Sequence, residues 1–241
     1  MKKTTLLQAE TLDCMSEAFV FNKWMYSAIS GGHVSGKILE IGSGIGNISQ
    51  FLLDDCNDVF LSDINFTHCA KLSIRFVDKR SLKQVQHIDI GSPFFNTKYR
   101  HNKYRYNTVV MLNVLEHIQD DALAIQNCHK LLKPGGRLII LVPSYQKLYC
   151  DIDKGLGHYR RYSKTSLTKI LEENNFGIKK MFRFNSLGVF GWLLFGKLLK
   201  HKKLNVHSIR VYNKLVHVSR LLDIFLLRKF GLSLIVYATK K

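Results

Sequence analysis

The sequence predicts a single α/β domain built on one sheet, and three observations carry that expectation. Strand-sized apolar runs at 38–41, 59–61, 85–88, 108–112 and 137–142 alternate with helical patterns. The first run leads straight into a turn with glycines at 42, 44 and 46, and acids stand in register near the ends of the first three runs, at Glu40, Asp63 and Asp89. With 241 residues the chain can bury a full core, and its length suits one domain with an elaboration better than two domains.

The first strand and its turn read Lys37-Ile38-Leu39-Glu40-Ile41-Gly42-Ser43-Gly44-Ile45-Gly46-Asn47. Ile38, Leu39 and Ile41 suit a strand buried on both faces, and alternate glycines let the backbone turn tightly and approach a ligand. Asn47 to Leu53 begins the next helix. A dinucleotide fingerprint, G-x-G-x-x-G, needs its third glycine where this chain has Asn47. The pattern E-x-G-x-G-x-G instead resembles the first motif of class I S-adenosylmethionine-dependent methyltransferases. That resemblance implies S-adenosylmethionine as cofactor and a Rossmann-like seven-stranded α/β sheet in the order 3-2-1-4-5-7-6, its last strand antiparallel.

Ahead of this strand, residues 8–30 read as one or two amphipathic helices, with Leu12, Met15, Phe19, Trp24, Met25 and Ile29 near helical spacing, ended by Gly31-Gly32. Phe21, Trp24 and Tyr26 are candidates to close the site, with core packing the plainer role. The second strand, Val59-Phe60-Leu61, ends at Asp63, where a carboxylate can accept bonds from both ribose hydroxyls. That chemistry serves S-adenosylmethionine and NAD alike. Residues 65–77 form a helix, and Val85–Ile88 a third strand ending at Asp89, which in the methyltransferase pattern reaches the adenine amino group. Phe94 and Phe95 are placed to flank the adenine, and the basic loop 100–106 receives no role.

The fourth strand, Thr108–Leu112, runs into Asn113-Val114-Leu115-Glu116-His117-Ile118, and the helix begun at Asp120-Asp121 stops at Leu132-Lys133-Pro134-Gly135-Gly136 before the fifth strand, 137–142. This block resembles the fourth-strand region of the same methyltransferases, although Asn107 replaces their usual aspartate. The cofactor residues that the resemblance implies are Glu40, Gly42, Ser43, Gly44, Gly46, Asn47, Asp63, Ile64, Asp89, Ile90, Asn113, Val114 and His117. The ubiquinone-pathway O-methyltransferases carry an acid where Asn113 stands. Without it, a hard-cation site on Glu116 and His117 is short of ligands, and no metal is expected.

Asp151-Ile152-Asp153-Lys154-Gly155-Leu156-Gly157-His158-Tyr159-Arg160-Arg161-Tyr162 resembles the D-x-x-x-G-H-Y-R-R-Y segment of a methyltransferase subset. It falls at the carboxyl ends of the strands, where open α/β sheets bind ligands. His158 is the first candidate for a catalytic base and His117 the second, since their ordinary pKa near 6.5 suits proton transfer at neutral pH. Tyr145, His158, Tyr159, Arg160 and Trp192 are the candidate acceptor contacts. Ser163 caps the next helix, whose Leu167, Ile170 and Leu171 face the sheet, and Ile178–Phe184 is a sixth strand.

The last strand, Leu232–Ala238, comes roughly 45 residues later, too far for an unstructured connection. The intervening insert holds two helix-like pieces. Residues 187–199 are apolar almost all round, with Lys197, Lys200, Lys202 and Lys203 following or interrupting, and Ile209 to Leu226 recur at helical spacing. We read residues 1–36 as cap helices, 37–184 as the cofactor core, 185–230 as a helical lid insert and 231–241 as the final strand. A lid supplies an apolar wall for a small-molecule or lipid-like acceptor; a basic-flanked patch on a membrane surface and a purely supporting hairpin are the alternatives.

Net charge is +18, divided as +4 over residues 1–150 and +14 over 151–241. Such a field suits a phosphorylated substrate, an anionic membrane or nucleic acid. The five cysteines form no C-x-x-C pair, so neither a zinc site nor a disulfide framework is expected. With no signal-peptide core and no spanning apolar stretch, a cytoplasmic, soluble enzyme is expected. Methyl transfer to oxygen is favoured over nitrogen or carbon. RNA methylation stays open without an RNA-binding module or a base-methylating N/D-P-P-Y-like motif to support it, as does a non-catalytic, cofactor-binding regulator.

Overall fold

The structure is a computed structural model, and it describes residues 2–31, 33–199 and 206–241. One sheet has the order β3-β2-β1-β4-β5-β7-β6, its strands being β1 (Ile38–Ile41), β2 (Val59–Asp63), β3 (Leu82–His87), β4 (Tyr106–Leu112), β5 (Leu132–Pro143), β6 (Phe176–Phe184) and β7 (Ser233–Lys240). The first five pair in parallel, and β7 runs antiparallel between β5 and β6. Both the order and the reversed last strand are those expected from the sequence.

Around it lie α1 (Lys2–Ser16), α2 (Phe19–Ser30), α3 (Ser49–Asp55), α4 (Phe66–Arg75), α5 (Phe95–Lys98), α6 (Asp121–Leu131), α7 (Asp151–Leu156), α8 (Lys164–Glu173), α9 (Ser186–Gly191) and α10 (Val206–Phe225), with a π-helical stretch over Trp192–Leu198. Successive strand residues feed opposite layers, as the pleat requires. Leu39, Val109 and Leu138 pack with Ile125 of α6 and Leu167 of α8. Ile38, Leu61 and Val110 pack with Trp24 of α2, Leu52 of α3, Leu72 of α4 and Val216 of α10. Each such side chain contributes about 2 kcal/mol by leaving water.

Caps fix the helix starts. Asn65 accepts from the Thr67 N–H at 2.8 Å, Asp120 from the Leu123 N–H at 2.9 Å and Ser163 from the Ser166 N–H at 3.0 Å, each worth about 1 kcal/mol. Gly31 closes α2, while Gly32 lies outside the described residues.

Several boundaries differ from the sequence reading. β3 begins at Leu82 rather than Val85. β5 begins at Leu132, which pairs with Tyr106, but the register then jumps to Thr108 opposite Arg137; Pro134-Gly135-Gly136 turn out of the ladder between these pairs, Gly135 at φ 70°, so the expected glycine turn lies inside the strand's bounds. Tyr106 is consequently a buried strand residue and not part of the basic loop; its hydroxyl accepts from Gln86 Nε2 at 2.9 Å.

The expectation of a lid over 185–230 divides. α10 packs on α2 and α9, and Tyr212 meets Phe21 ring to ring at 5.8 Å; this half of the insert belongs to the helical layer. The π-helical half instead lies on the segment after β5, with Trp192 packed against Cys150, Ile152 and Leu156. Lys200, Lys202 and Lys203 lie outside the described residues. Trp24 packs on Phe184, Phe21 on Phe184 and Tyr212, and Tyr26 on Phe51, so all three serve the core.

Candidate functional site

The strand ends gather the predicted cofactor residues on one edge. Gly42, Gly44 and Gly46 all have positive φ (72°, 56° and 89°), a conformation that favours glycine. A Cβ at Gly42 would sit 2.3 Å from Val114 Cγ2, which places the Asn113-Val114 corner directly against the loop. Asn113 itself has φ 51° and donates its N–H to the Leu141 carbonyl at 2.8 Å. Over the loop lies α1: Asn47 Nδ2 donates to the Leu12 carbonyl at 3.1 Å, and Leu12 is the side chain nearest a Cβ built at Gly44. Leu12 of α1, and no aromatic residue of α2, is thus the side chain nearest Gly44.

Asp63 braces this loop. Its Oδ2 accepts from the Gly44 N–H and its Oδ1 from the Asn65 N–H, both at 2.8 Å, with His68 Nδ1 at 3.2 Å. Burial alone would raise its carboxyl, but the bonds from His68, Asn65 and Gly44 outweigh it and hold Asp63 below the ordinary range. Each oxygen keeps acceptor capacity for a ribose hydroxyl. Glu40 lies deeper, beneath the loop, where Ser49 Oγ bonds its carboxylate and burial pushes it up to about 7. Ser43 ties the loop to β2, its N–H donating to the Ser62 carbonyl at 2.9 Å.

Asp89 is half-buried and accepts from the Gly91 N–H at 3.0 Å, while Ile90 is buried in the core. Ile64 and Phe94 stand exposed beyond the two acids, apolar surfaces that a nucleoside base would cover. Phe95, expected beside Phe94, is buried in the core and cannot flank an adenine. An ionised carboxylate, a second acid one strand over and two exposed apolar side chains fit an adenosine-type cofactor.

The second half of the site follows the Val114 corner. Glu116 and His117 lie on a single 3-10 turn, Leu115–His117. His158 meets them from the other side, its ring edge-on to that of His117 at 4.6 Å. Gly157, left-handed at φ 79°, ends α7 and turns the chain back, so His158 Nδ1 lies 2.9 Å from Asp153 Oδ1. Arg161 Nε donates to the same oxygen at 2.8 Å and Cys150 N–H to Oδ2 at 3.0 Å. Burial would raise Asp153, but the His158 bond and the Arg161 charge hold it low.

Burial lifts Glu116 to about 7, and neither of its oxygens has a hydrogen-bond partner. Burial, then the neighbouring His158, push His117 down to about 4, leaving it neutral. Glu116, His117 and His158 each offer a ligand atom, all within 4.8 Å of one another. The sequence reading counted only two of these donors.

The remaining candidates divide. Tyr159 is exposed, its N–H held by the Glu116 carbonyl at 2.8 Å. Arg160 is taken up by Asp121 and the Gln119 carbonyl, both at 2.6 Å, so it braces the start of α6 rather than facing an acceptor. Tyr145 carries the Arg183 guanidinium over its ring at 4.5 Å, and Arg161 lies 4.5 Å from the Trp192 ring. Trp192 Nε1 is buried without a partner. Asp153 and Arg161 received no role in the sequence reading, although Asp153 is the acid of the D-x-x-x-G-H pattern and its spacing to His158 was available.

A family described as a methyltransferase domain matches residues 22–180. Among curated proteins, the chain is 30% identical over 147 residues to probable polyketide synthase 42 of Dictyostelium discoideum, a match covering 50% of this chain and 5% of that protein. It thus spans about a twentieth of the length of such relatives. Among solved structures, phosphoethanolamine N-methyltransferase 2 of Haemonchus contortus with S-adenosyl-L-methionine superposes with a TM-score of 0.58 at 16% identity, covering 91% of this chain and 52% of that one. The CurJ carbon methyltransferase superposes with a TM-score of 0.57 at 16% identity, covering 92% and 53%.

Proposed function

The chain belongs to the methyltransferase-domain family, and from that premise we propose that it transfers the methyl group of S-adenosylmethionine to a hydroxyl oxygen of a small-molecule or lipid-like acceptor. The observation that favours oxygen over a neutral amine nitrogen is the bond from His158 to Asp153. With Nδ1 engaged by an ionised carboxylate, the ring is fixed in place and its Nε2 is left as the proton acceptor. A hydroxyl acceptor needs such a base; a neutral amine does not.

When bound, S-adenosylmethionine supplies an electrophilic methyl group on a sulfonium, a good leaving group. The residues of the chain then have to align, deprotonate and exclude water. Asp63 holds the ribose and Asp89 the adenine edge. His158 takes the acceptor proton, and Asp153, backed by Arg161, steadies the imidazolium that forms. Trp192 Nε1 offers a buried donor to an acceptor oxygen.

Incubation with methyl-13C S-adenosylmethionine and a panel of hydroxylated, prenylated and phosphorylated acceptors, read by carbon NMR, tests this. An O-methyl signal that disappears in His158→Ala, with cofactor affinity retained, is the expected result. A C- or N-methyl signal would overturn the oxygen assignment. Transfer to RNA alone would overturn the acceptor class, and cofactor binding without transfer to any acceptor would favour a regulator.

A further inference from the structure

Exposed apolar side chains crowd the insert between β6 and β7. On α10, Val211, Leu215, Val218 and Phe225 follow one another at helical spacing on the face turned away from the buried Ile209, Val216 and Ser219. Phe225 is 83% exposed and Leu221, next to this stripe, 67%. A core helix has one apolar face; α10 has two, and the stripe stays exposed although α1, α2 and α9 all pack against the helix. In the π-helical stretch of the same insert, Leu198 is 73% exposed and Leu194 also stands out.

Charge on the insert has one sign. Residues 185–230 hold nine lysines and arginines and a single acid, Asp223. That acid is buried, accepting from the Asn185 N–H at 2.8 Å and the Ser186 N–H at 2.7 Å, so no carboxylate is exposed among the described residues of the insert. Lys214 is exposed one helical turn from Val211 and Val218, at the border of the apolar stripe. Arg210, elsewhere on α10, is paired with Glu17 of α1 at 3.2 Å, which leaves Lys214 as the cation at the stripe. An apolar stripe bordered by a lysine, with no exposed acid on the insert itself, suits the headgroup region of an anionic bilayer.

We propose that the outer face of α10 and the π-helical stretch of the insert dock the protein on an anionic lipid surface. No described helix is long and apolar enough to cross a membrane, so the contact is peripheral. Position supports the assignment: the π-helical stretch bears Trp192 beside Arg161, and Gly196 packs against Cys150 at the start of α7. The docked face therefore adjoins the segment that carries Asp153 and His158. The role in presenting a lipid-like acceptor rests on the function proposed above; the docking itself does not.

Sedimentation with vesicles, without cofactor or acceptor, tests the docking separately from methyl transfer. Vesicles of phosphatidylcholine and phosphatidylglycerol in equal parts should carry the protein down, and phosphatidylcholine alone should not. High salt should release it. Lys214→Glu should weaken the partition coefficient at least fivefold, the equivalent of about 1 kcal/mol for one cation near the surface, and Leu221→Ser with Phe225→Ser should abolish sedimentation with circular dichroism unchanged.

No sedimentation of the folded protein with anionic vesicles overturns the proposal. So does undiminished binding by the variants. A stable dimer in light scattering that Leu221→Ser with Phe225→Ser converts to monomer would assign the face to a second copy instead. Methyl transfer without vesicle binding would leave the enzymatic reading intact and remove only this inference.

Discussion

Asp153 Oδ1 is shared by His158 Nδ1 at 2.9 Å and Arg161 Nε at 2.8 Å. The acid and the histidine are five residues apart, and the left-handed Gly157 between them brings the ring back over the end of its own helix. Tyr149 locks the same corner by donating its hydroxyl to the His158 carbonyl at 2.6 Å. The base is therefore held from both its ring and its backbone.

Asp153→Asn tests that arrangement with little change of shape. Turnover should fall by about two to four orders of magnitude, the usual range for general-base catalysis, with S-adenosylmethionine affinity unchanged by calorimetry. A merely structural role would lower the melting temperature or the cofactor affinity along with turnover. Asp153→Ala is less informative: it strands the buried Arg161 and should cost about 3–5 kcal/mol of stability.

Asp63 joins cofactor binding to loop geometry, since its carboxylate already holds the Gly44 N–H. Asp63→Asn should weaken S-adenosylmethionine and S-adenosylhomocysteine by about tenfold to a hundredfold, the equivalent of about 1.5–3 kcal/mol for charged hydrogen bonds. NAD should bind neither protein. Equal affinities of variant and wild type for the two methyl-cycle nucleosides would remove Asp63 from the cofactor site.

What was legible beforehand follows from how local the signals are. The glycine turn and the acids at 40, 63 and 89 are short-range patterns, whereas strand order is long-range and was implied only by the family those patterns resemble. Phe95 was misplaced because nothing in Phe94-Phe95 distinguishes the exposed ring from the buried one until α5 is packed. The Arg160-Arg161 pair poses the same problem: one braces Asp121 and the other enters the core with Asp153, a choice made by partners 39 and 8 residues away. α10 was readable as a helix, but its second apolar face emerges only once the helix is packed against α1, α2 and α9.

Glu116 makes stability depend on pH. Its folded pKa is about 7, above the ordinary 4.5. The folded state thus binds the extra proton between these values, and stability is lost as pH rises through the folded pKa. Burial raises Glu40 in the same direction. His117, lowered to about 4, has the opposite sign: its contribution is present above about 6.5 and is lost as pH falls through 4. Glu116→Gln isolates one contribution. In denaturant titrations, the loss of stability from pH 4.5 to 8 should be smaller in the variant by roughly 3 kcal/mol. Parallel pH curves for the two proteins would mean that Glu116 is ionised through some partner in solution.

The cluster of Glu116, His117 and His158 could instead hold a cation, and chelation decides between the readings. Zinc needs deprotonated donors at about 2.1 Å, and its structural and catalytic sites both present at least three. Here burial favours the neutral form of Glu116, while Arg161 places a positive charge beside the same group and already helps lower its carboxyl. Those two facts favour proton exchange within the cluster over a resident metal. Dialysis against a chelator should leave turnover and the melting temperature unchanged, and elemental analysis of the purified protein should show less than one metal per chain. Activity lost on chelation and restored by zinc or magnesium would make His158 a ligand, and the acceptor proton would then have to leave by another route.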